Sequence, residues 1–332
     1  MKLLVGFAVV LFSSWAWAAD PLPSWTEGEL KKSIMTFVAD VTKEGGSNFV
    51  PVEDRIATFD NDGTLWSEVP TVEAEFTKVR LEQLMAKNPA MKNKEPYKTL
   101  LKEGKAALPH LTQKQILDIM SVTHSGMSED DFNKEVTEFF KTALHPKWNV
   151  PYSKTAYQPM LELLAYLRDN NFKIFICSGG DIAFMRVVAT EMYGVPSQNI
   201  IGSFFMDKTT EENGKLVVMR TSKLGMINDK DGKPVGIVRH IGKRPIMAVG
   251  NERSGGDIAH LRYSKESTRP TLQIMINHDD AKREAEYAEK DGASLAAARK
   301  FGFKILSMKN DWKQVFPVQN PIAQNDSQQE GN

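Results

Sequence analysis

Asp60 and Asp62 stand one residue apart at the end of a short apolar run, Ile56-Ala57-Thr58-Phe59, and Gly63 and Thr64 follow them. The run predicts a buried β-strand closed by the glycine. Strand residues two apart project to the same side, which sets the two carboxylates roughly 6–7 Å apart at the strand's exit. Two carboxylates, a hydroxyl and a glycine make poor structural glue. They suit a metal-assisted reaction at an electron-poor centre.

Four more apolar runs, over 173–178, 199–203, 245–250 and 271–277, have the character of buried parallel strands. Helical patterns separate most of them, such as 159–169, with Pro at its first turn, and 182–193. Alternating strand and helix predicts an α/β fold with a doubly wound parallel sheet. In such sheets ligands gather at the carboxyl ends of the strands. The second run ends in Ser178-Gly179-Gly180, a hydroxyl followed by backbone NH groups free to approach an anion. The fourth ends in Gly250-Asn251 and a glycine-rich loop reaching Asp257. Three strands thus bring polar or acidic groups to one edge.

These residues resemble the haloacid dehalogenase-like superfamily, most closely its phosphoserine-phosphatase-like members, over residues 53–280. The first motif of that family, Asp-x-Asp-x-Thr, stands here as Asp60-Asn61-Asp62-Gly63-Thr64, and the second matches Ser178. The resemblance implies that Asp60 is a nucleophile forming an aspartyl-phosphate. A carboxylate suits this role because it is charged at neutral pH and needs no base. Asp62 would protonate the leaving group and then deprotonate water, a task that calls for a raised pKa. Mg²⁺ would be held by Asp60 and the backbone carbonyl of Asp62, while Thr64, Ser178, Gly179 and a lysine would hold the phosphate.

Lys223, Lys233 and Lys243 all precede the fourth strand. Lys233 is preferred because Lys233-Pro234 opens a short helix, 235–241, leading into that strand. The fourth motif departs from the family pattern, whose second acid lies four residues beyond the first polar residue. Here Asp257 lies six beyond Asn251. Asn251 can ligate Mg²⁺ through its carbonyl oxygen but brings no charge. Asp257 is expected in the metal site, with lysine anchoring as its alternative task, and Glu252 is an alternative ligand.

The first nineteen residues differ in kind: a basic Lys2, an apolar stretch and Ala16-Trp17-Ala18 form the layout of a cleavable signal peptide. Export to a bacterial periplasm or secretion follows, with no stable membrane association after cleavage. Cys177 is the single cysteine, so no intrachain disulfide can form, and it reads as a buried core thiol. Lys plus Arg balances Asp plus Glu, 42 against 42, which argues against nucleic-acid binding.

The expected organisation is a core of residues 20–70 and 151–316, an inserted all-helical cap over 71–150 and a disordered tail over 317–332. Thr112 opens one cap helix, and Ser128 with Asp131 forms a capping pair for another. A second insertion, 204–219, reads as a β-hairpin around Asn213-Gly214. Ser24 is expected to cap a first helix, and His278-Asp279-Asp280 to lie in a solvated loop. Trp66 and Glu68 could contact substrate or serve packing.

The function expected is Mg²⁺-dependent hydrolysis of a small phosphomonoester, since a closing cap excludes macromolecules. Carbon–halogen hydrolysis is the alternative within the superfamily, but it leaves Asp62 without a task. A non-catalytic exported binding protein is the alternative outside enzymes, and the intact Asp60, Asp62 and Ser178 argue against it.

Overall fold

The computed structural model describes residues 19–103, 107, 110–253 and 255–318. The expected signal peptide, save its last residue, and nearly all of the expected tail lie outside these residues.

Helix α1 (Glu29–Thr42) leads in, burying Leu30, Ile34, Val38 and Val41 along one face. The cap predicted at Ser24 is not there: Gly28 precedes the helix, and Ser24 instead donates its hydroxyl to Glu162, 2.6 Å away. Strand β1 (Ile56–Phe59) follows and is buried throughout, as a run of four apolar or β-branched residues in a parallel sheet must be. Four helices come next: α2 (Val72–Lys87), α3 (Tyr97–Glu103), α4 (Gln113–His124) and α5 (Glu129–Thr142). Thr112 begins α4 with a complete capping box to Gln115, and the Ser128 hydroxyl begins α5 by accepting from the Asp131 NH.

The chain then alternates regularly. Helix α6 (Gln158–Asp169), strand β2 (Lys173–Asp181), helix α7 (Ile182–Tyr193) and strand β3 (Ile200–Glu212) run in sequence. Strand β4 (Lys215–Met226) returns antiparallel to β3 through Asn213 and Gly214, both at positive φ, as a two-residue hairpin turn requires. The hairpin is longer than 204–219. Helix α8 (Gly232–Ile241), strand β5 (Met247–Asn251), helix α9 (Ile258–Lys265) and strand β6 (Leu272–Asn277) complete the expected pattern. Helix α10 (Ala293–Phe301), strand β7 (Lys304–Ser307) and the short α11 (Met308–Asp311) add a strand not predicted from sequence.

The seven strands among the described residues form one sheet ordered β4-β3-β2-β1-β5-β6-β7, parallel except for the β3–β4 pair. This is the doubly wound α/β arrangement. Strand order reverses beside β1, with β2 on one side and β5 on the other, which puts the switch point at Asp60.

The helical insertion packs on the core rather than standing apart. Phe139 and Phe140 of α5 meet Phe184 of α7, with Phe140 at 5.4 Å between ring centroids. Arg220 on β4 ties both together: its guanidinium bonds Asp181 at 2.6 Å, Glu129 at 3.1 Å and the His124 carbonyl at 2.7 Å. Among the described residues, no helix is long and apolar enough to cross a membrane.

Candidate active site

Asp60 leaves β1 with its backbone NH bonded to the Val249 carbonyl on β5, 2.9 Å away. The loop after it folds back on itself: Thr64 and Leu65 donate their NH groups to the Asn61 carbonyl, and Gly63 donates to Trp66. Gly63 sits at φ +67°, and a Cβ there would lie 2.0 Å from the Asn251 amide nitrogen and 2.6 Å from Glu68. Only glycine fits, because both the backbone conformation and the space exclude a side chain.

Three lysines were candidates, and one reaches the site. Lys233, in the first turn of α8, lies buried with its ammonium 3.0 Å from Asp60 and 2.6 Å from Asp257. Lys223 is exposed on β4, and Lys243 pairs with Asp54 at the other end of the sheet.

Asp257 meets three donors. One oxygen meets Lys233 and His260, and the other accepts the Asn251 backbone NH at 3.0 Å. Its place in the metal site therefore gives way to lysine anchoring. Burial works against its charge, but Lys233 and His260 outweigh that and hold its carboxyl well below the usual range. Burial also works against the charge on Lys233, and Asp257 and Asp60 outweigh it, raising the ammonium's pKa. For Asp60, burial and then the Asp257 charge push the carboxyl up, against the pull of Lys233. A cation bound nearby would pull it down again.

Asp62 is pushed up to about 7, by burial first and the Glu68 charge second, while the Trp66 indole NH donates to it at 2.9 Å and opposes the rise. That value suits a group that must give and take a proton near neutrality. Thr64 is buried, and its hydroxyl has no hydrogen-bond partner among the described residues. The Ser178 hydroxyl accepts the Gly180 NH at 3.2 Å. Gly179 follows Ser178 at the same sheet edge, near Asp229.

Several site residues carry no local signature in the sequence. Glu73 of α2 reaches across to the end of β2, where both its oxygens accept the Asp181 NH, at 3.1 and 3.0 Å. His124 of α4 stands 3.4 Å from the same carboxylate. Glu68 accepts from the Asn251 side-chain NH at 2.8 Å and from the Tyr287 hydroxyl, and pairs with Arg253 at 2.6 Å. Trp66 is packed, stacking on Phe140 at 5.9 Å.

His278 corrects the expectation of a solvated loop. It is buried, stacks on Tyr287 at 4.2 Å and meets the Gly63 carbonyl at 2.8 Å, because the chain after β6 folds over the β1 loop. Glu252, the other metal alternative, is buried too, and burial raises its carboxyl against a hydrogen bond from the Glu289 backbone. Cys177 is buried, and burial pushes its thiol up to about 12, so it is an inert core residue.

The donor set fits a hard divalent cation. Asp60 offers a buried carboxylate beside the Lys233 ammonium, and Asn251 an amide oxygen at the end of the adjacent strand. The carbonyl of Asp62 lies in the loop after β1, two residues on from Asp60. All are oxygen ligands, as Mg²⁺ requires.

The profile of the haloacid dehalogenase-like hydrolase family matches residues 55–218. No curated protein matches the chain. Among solved structures, a conserved protein of unknown function from Anaerococcus prevotii is similar, with 15% identity, a TM-score of 0.52, and coverage of 83% of this chain and 91% of that one. A protein of unknown function from Bordetella pertussis has 16% identity, a TM-score of 0.49, and coverage of 76% and 97%. A phosphoserine phosphohydrolase-like protein from Francisella tularensis has 17% identity, a TM-score of 0.35, and coverage of 73% and 98%. At such identities the likeness concerns the fold.

Proposed function

Because the chain carries a haloacid dehalogenase-like hydrolase domain over residues 55–218, we propose that it hydrolyses small phosphomonoesters with the help of Mg²⁺. One observation carries this function above the rest: a buried lysine clamped between the Asp60 carboxylate and Asp257, with a second aspartate two residues after Asp60 poised near neutrality.

In the first step an Asp60 oxygen attacks phosphorus and the ester P–O bond breaks. Asp62 gives its proton to the departing oxygen, leaving an alcohol and an aspartyl-phosphate. In the second step water attacks the same phosphorus, Asp62 takes the water's proton, and Asp60 and inorganic phosphate are released. Lys233, Ser178, Thr64 and the Gly179 NH hold the phosphoryl oxygens as charge moves. A bound Mg²⁺ supplies charge neutralisation between the nucleophile and the incoming phosphate. Carbon–halogen hydrolysis has no use for a proton carrier with a pKa near 7, so phosphate esters are the better fit.

Residues 71–150 serve as the cap of this enzyme. Glu73 and Arg220 join that block to the end of β2, the strand that holds Ser178, which restricts the substrate to small molecules. The protein acts outside the cytoplasm, on the strength of its N-terminal leader pattern.

The test uses purified mature protein and an aryl phosphate, with Mg²⁺, with chelator, and as the Asp60→Asn variant. Wild-type turnover should require Mg²⁺, and Asp60→Asn should lower it by about 10⁴-fold or more. Metal-independent turnover, or none in any condition, would sink the proposal.

A further inference from the structure

We propose that Glu68 is the positioning residue of the cation site: it sets the orientation of the Asn251 amide and places a carboxylate directly behind it, from the loop after β1. This rests on the Mg²⁺-dependent function argued above.

The geometry is specific. Asn251 ends β5 and is nearly fully buried, and its side-chain nitrogen donates to a Glu68 oxygen at 2.8 Å. A carboxylate only accepts, so it fixes which end of the amide faces it. The carbonyl oxygen of the same planar group must then turn away from Glu68, and that oxygen is the end through which an amide ligates a cation. A neutral amide is a weaker ligand than a carboxylate, but one hydrogen-bonded to a carboxylate gains donor strength.

Glu68 is itself held from three sides. The Tyr287 hydroxyl donates to the same oxygen as Asn251, and Arg253 pairs with the other at 2.6 Å. Tyr287 stacks on His278, and His278 bonds the carbonyl of Gly63, in the loop carrying Asp60 and Asp62. The contacts close a ring around Asn251. Gly63 completes it, since any side chain there would displace both the amide and the carboxylate.

A packing role alone would be indifferent to where the charge resides, whereas a cation site depends on it. The experiment therefore moves the charge. Mn²⁺ binding, without substrate, is followed by electron paramagnetic resonance in wild type, Glu68→Gln, Asn251→Asp and the double variant. Glu68→Gln should weaken binding by about 10–100-fold, the range for residues behind a metal ligand. Asn251→Asp alone should not tighten it, because two carboxylates would then face each other at hydrogen-bond distance. The double variant restores one carboxylate and one amide in exchanged places, and should bind within about threefold of wild type.

Unchanged binding in Glu68→Gln, tighter binding in Asn251→Asp, or a double variant no better than Glu68→Gln would each overturn the assignment while leaving the cation site standing. Wild type that binds no Mn²⁺ would overturn the cation site and this assignment together.

Discussion

Lys233 and Lys243 each hold an aspartate at 2.6 Å, at opposite ends of the same sheet, and only one of the two pairs is withdrawn from water. Lys233 and Asp257 are each 1% exposed, whereas Lys243 is 47% and Asp54 20% exposed. At equal distance the attraction between unit charges scales inversely with the local dielectric. The buried pair is therefore the one that can shape neighbouring charge: it depresses Asp257, raises Lys233 and leaves Asp60 as the carboxylate with unmet need. The exposed pair, joined by Arg269, anchors the amino ends of the strands and does little else. A buried ion pair contributes weakly to net stability but costs heavily when broken. Its presence at the switch point of the sheet marks chemistry more than stability.

Removing the buried cation should have the largest effect. Lys233→Met leaves Asp60 and Asp257 facing each other without compensation. It should lower stability by about 3–5 kcal/mol in urea titrations. Turnover of an aryl phosphate should fall by about 10²–10³-fold, the usual cost of losing one charge-stabilising donor. Adding Asp257→Asn to Lys233→Met should recover part of the stability and none of the turnover. If stability is not recovered, the loss is one of packing, and the two ends of the sheet differ less than their burial suggests.

The next test probes the acid that the buried cluster does not neutralise. Asp62 is pushed up to about 7, so its proton-donating form is present below that pH and lost above it. Hydrolysis of an alkyl phosphate, whose leaving group needs a proton, should fall as pH rises through about 7. An aryl phosphate with an acidic phenol should lack that limb. Asp62→Asn should slow the alkyl ester by about 100-fold or more and the activated ester less. Equal losses on both substrates would take the proton-carrying role from Asp62.

Much of this site was legible because its parts sit at the ends of apolar runs. Asp60 directly follows β1, Ser178 and Asn251 lie near or at the ends of β2 and β5, and Lys233 stands in the first turn of the helix that precedes β5. What could not be read is held by contacts between distant parts of the chain. Glu68 meets Asn251 across 183 positions and Tyr287 across 219, and His278 meets Gly63 across 215. No periodicity or spacing encodes such a meeting. The same blindness misplaced Ser24, whose local signal suited a helix cap but whose partner, Glu162, lies 138 residues away. Strand β7 escaped for a different reason: four residues beginning with an exposed lysine carry too little alternation to be seen.

The smallest effect is expected at the exposed end, and it bounds the comparison from below. Asp54 keeps its charge through Lys243 first, with burial opposing and Arg269 helping, so its folded pKa lies below the ordinary value. A depressed carboxyl contributes stability that is present above its unfolded pKa, about 3.9, and is lost as pH falls through the lower folded one. Asp54→Asn should therefore cost less than about 1 kcal/mol at pH 7, because the pair is solvated and screened. The difference from wild type should shrink in 0.5 M NaCl and vanish once the pH falls below the depressed folded pKa, while turnover stays unchanged. A loss at pH 7 as large as that of Lys233→Met would mean that distance, and not burial, decides what such a pair is worth in this fold.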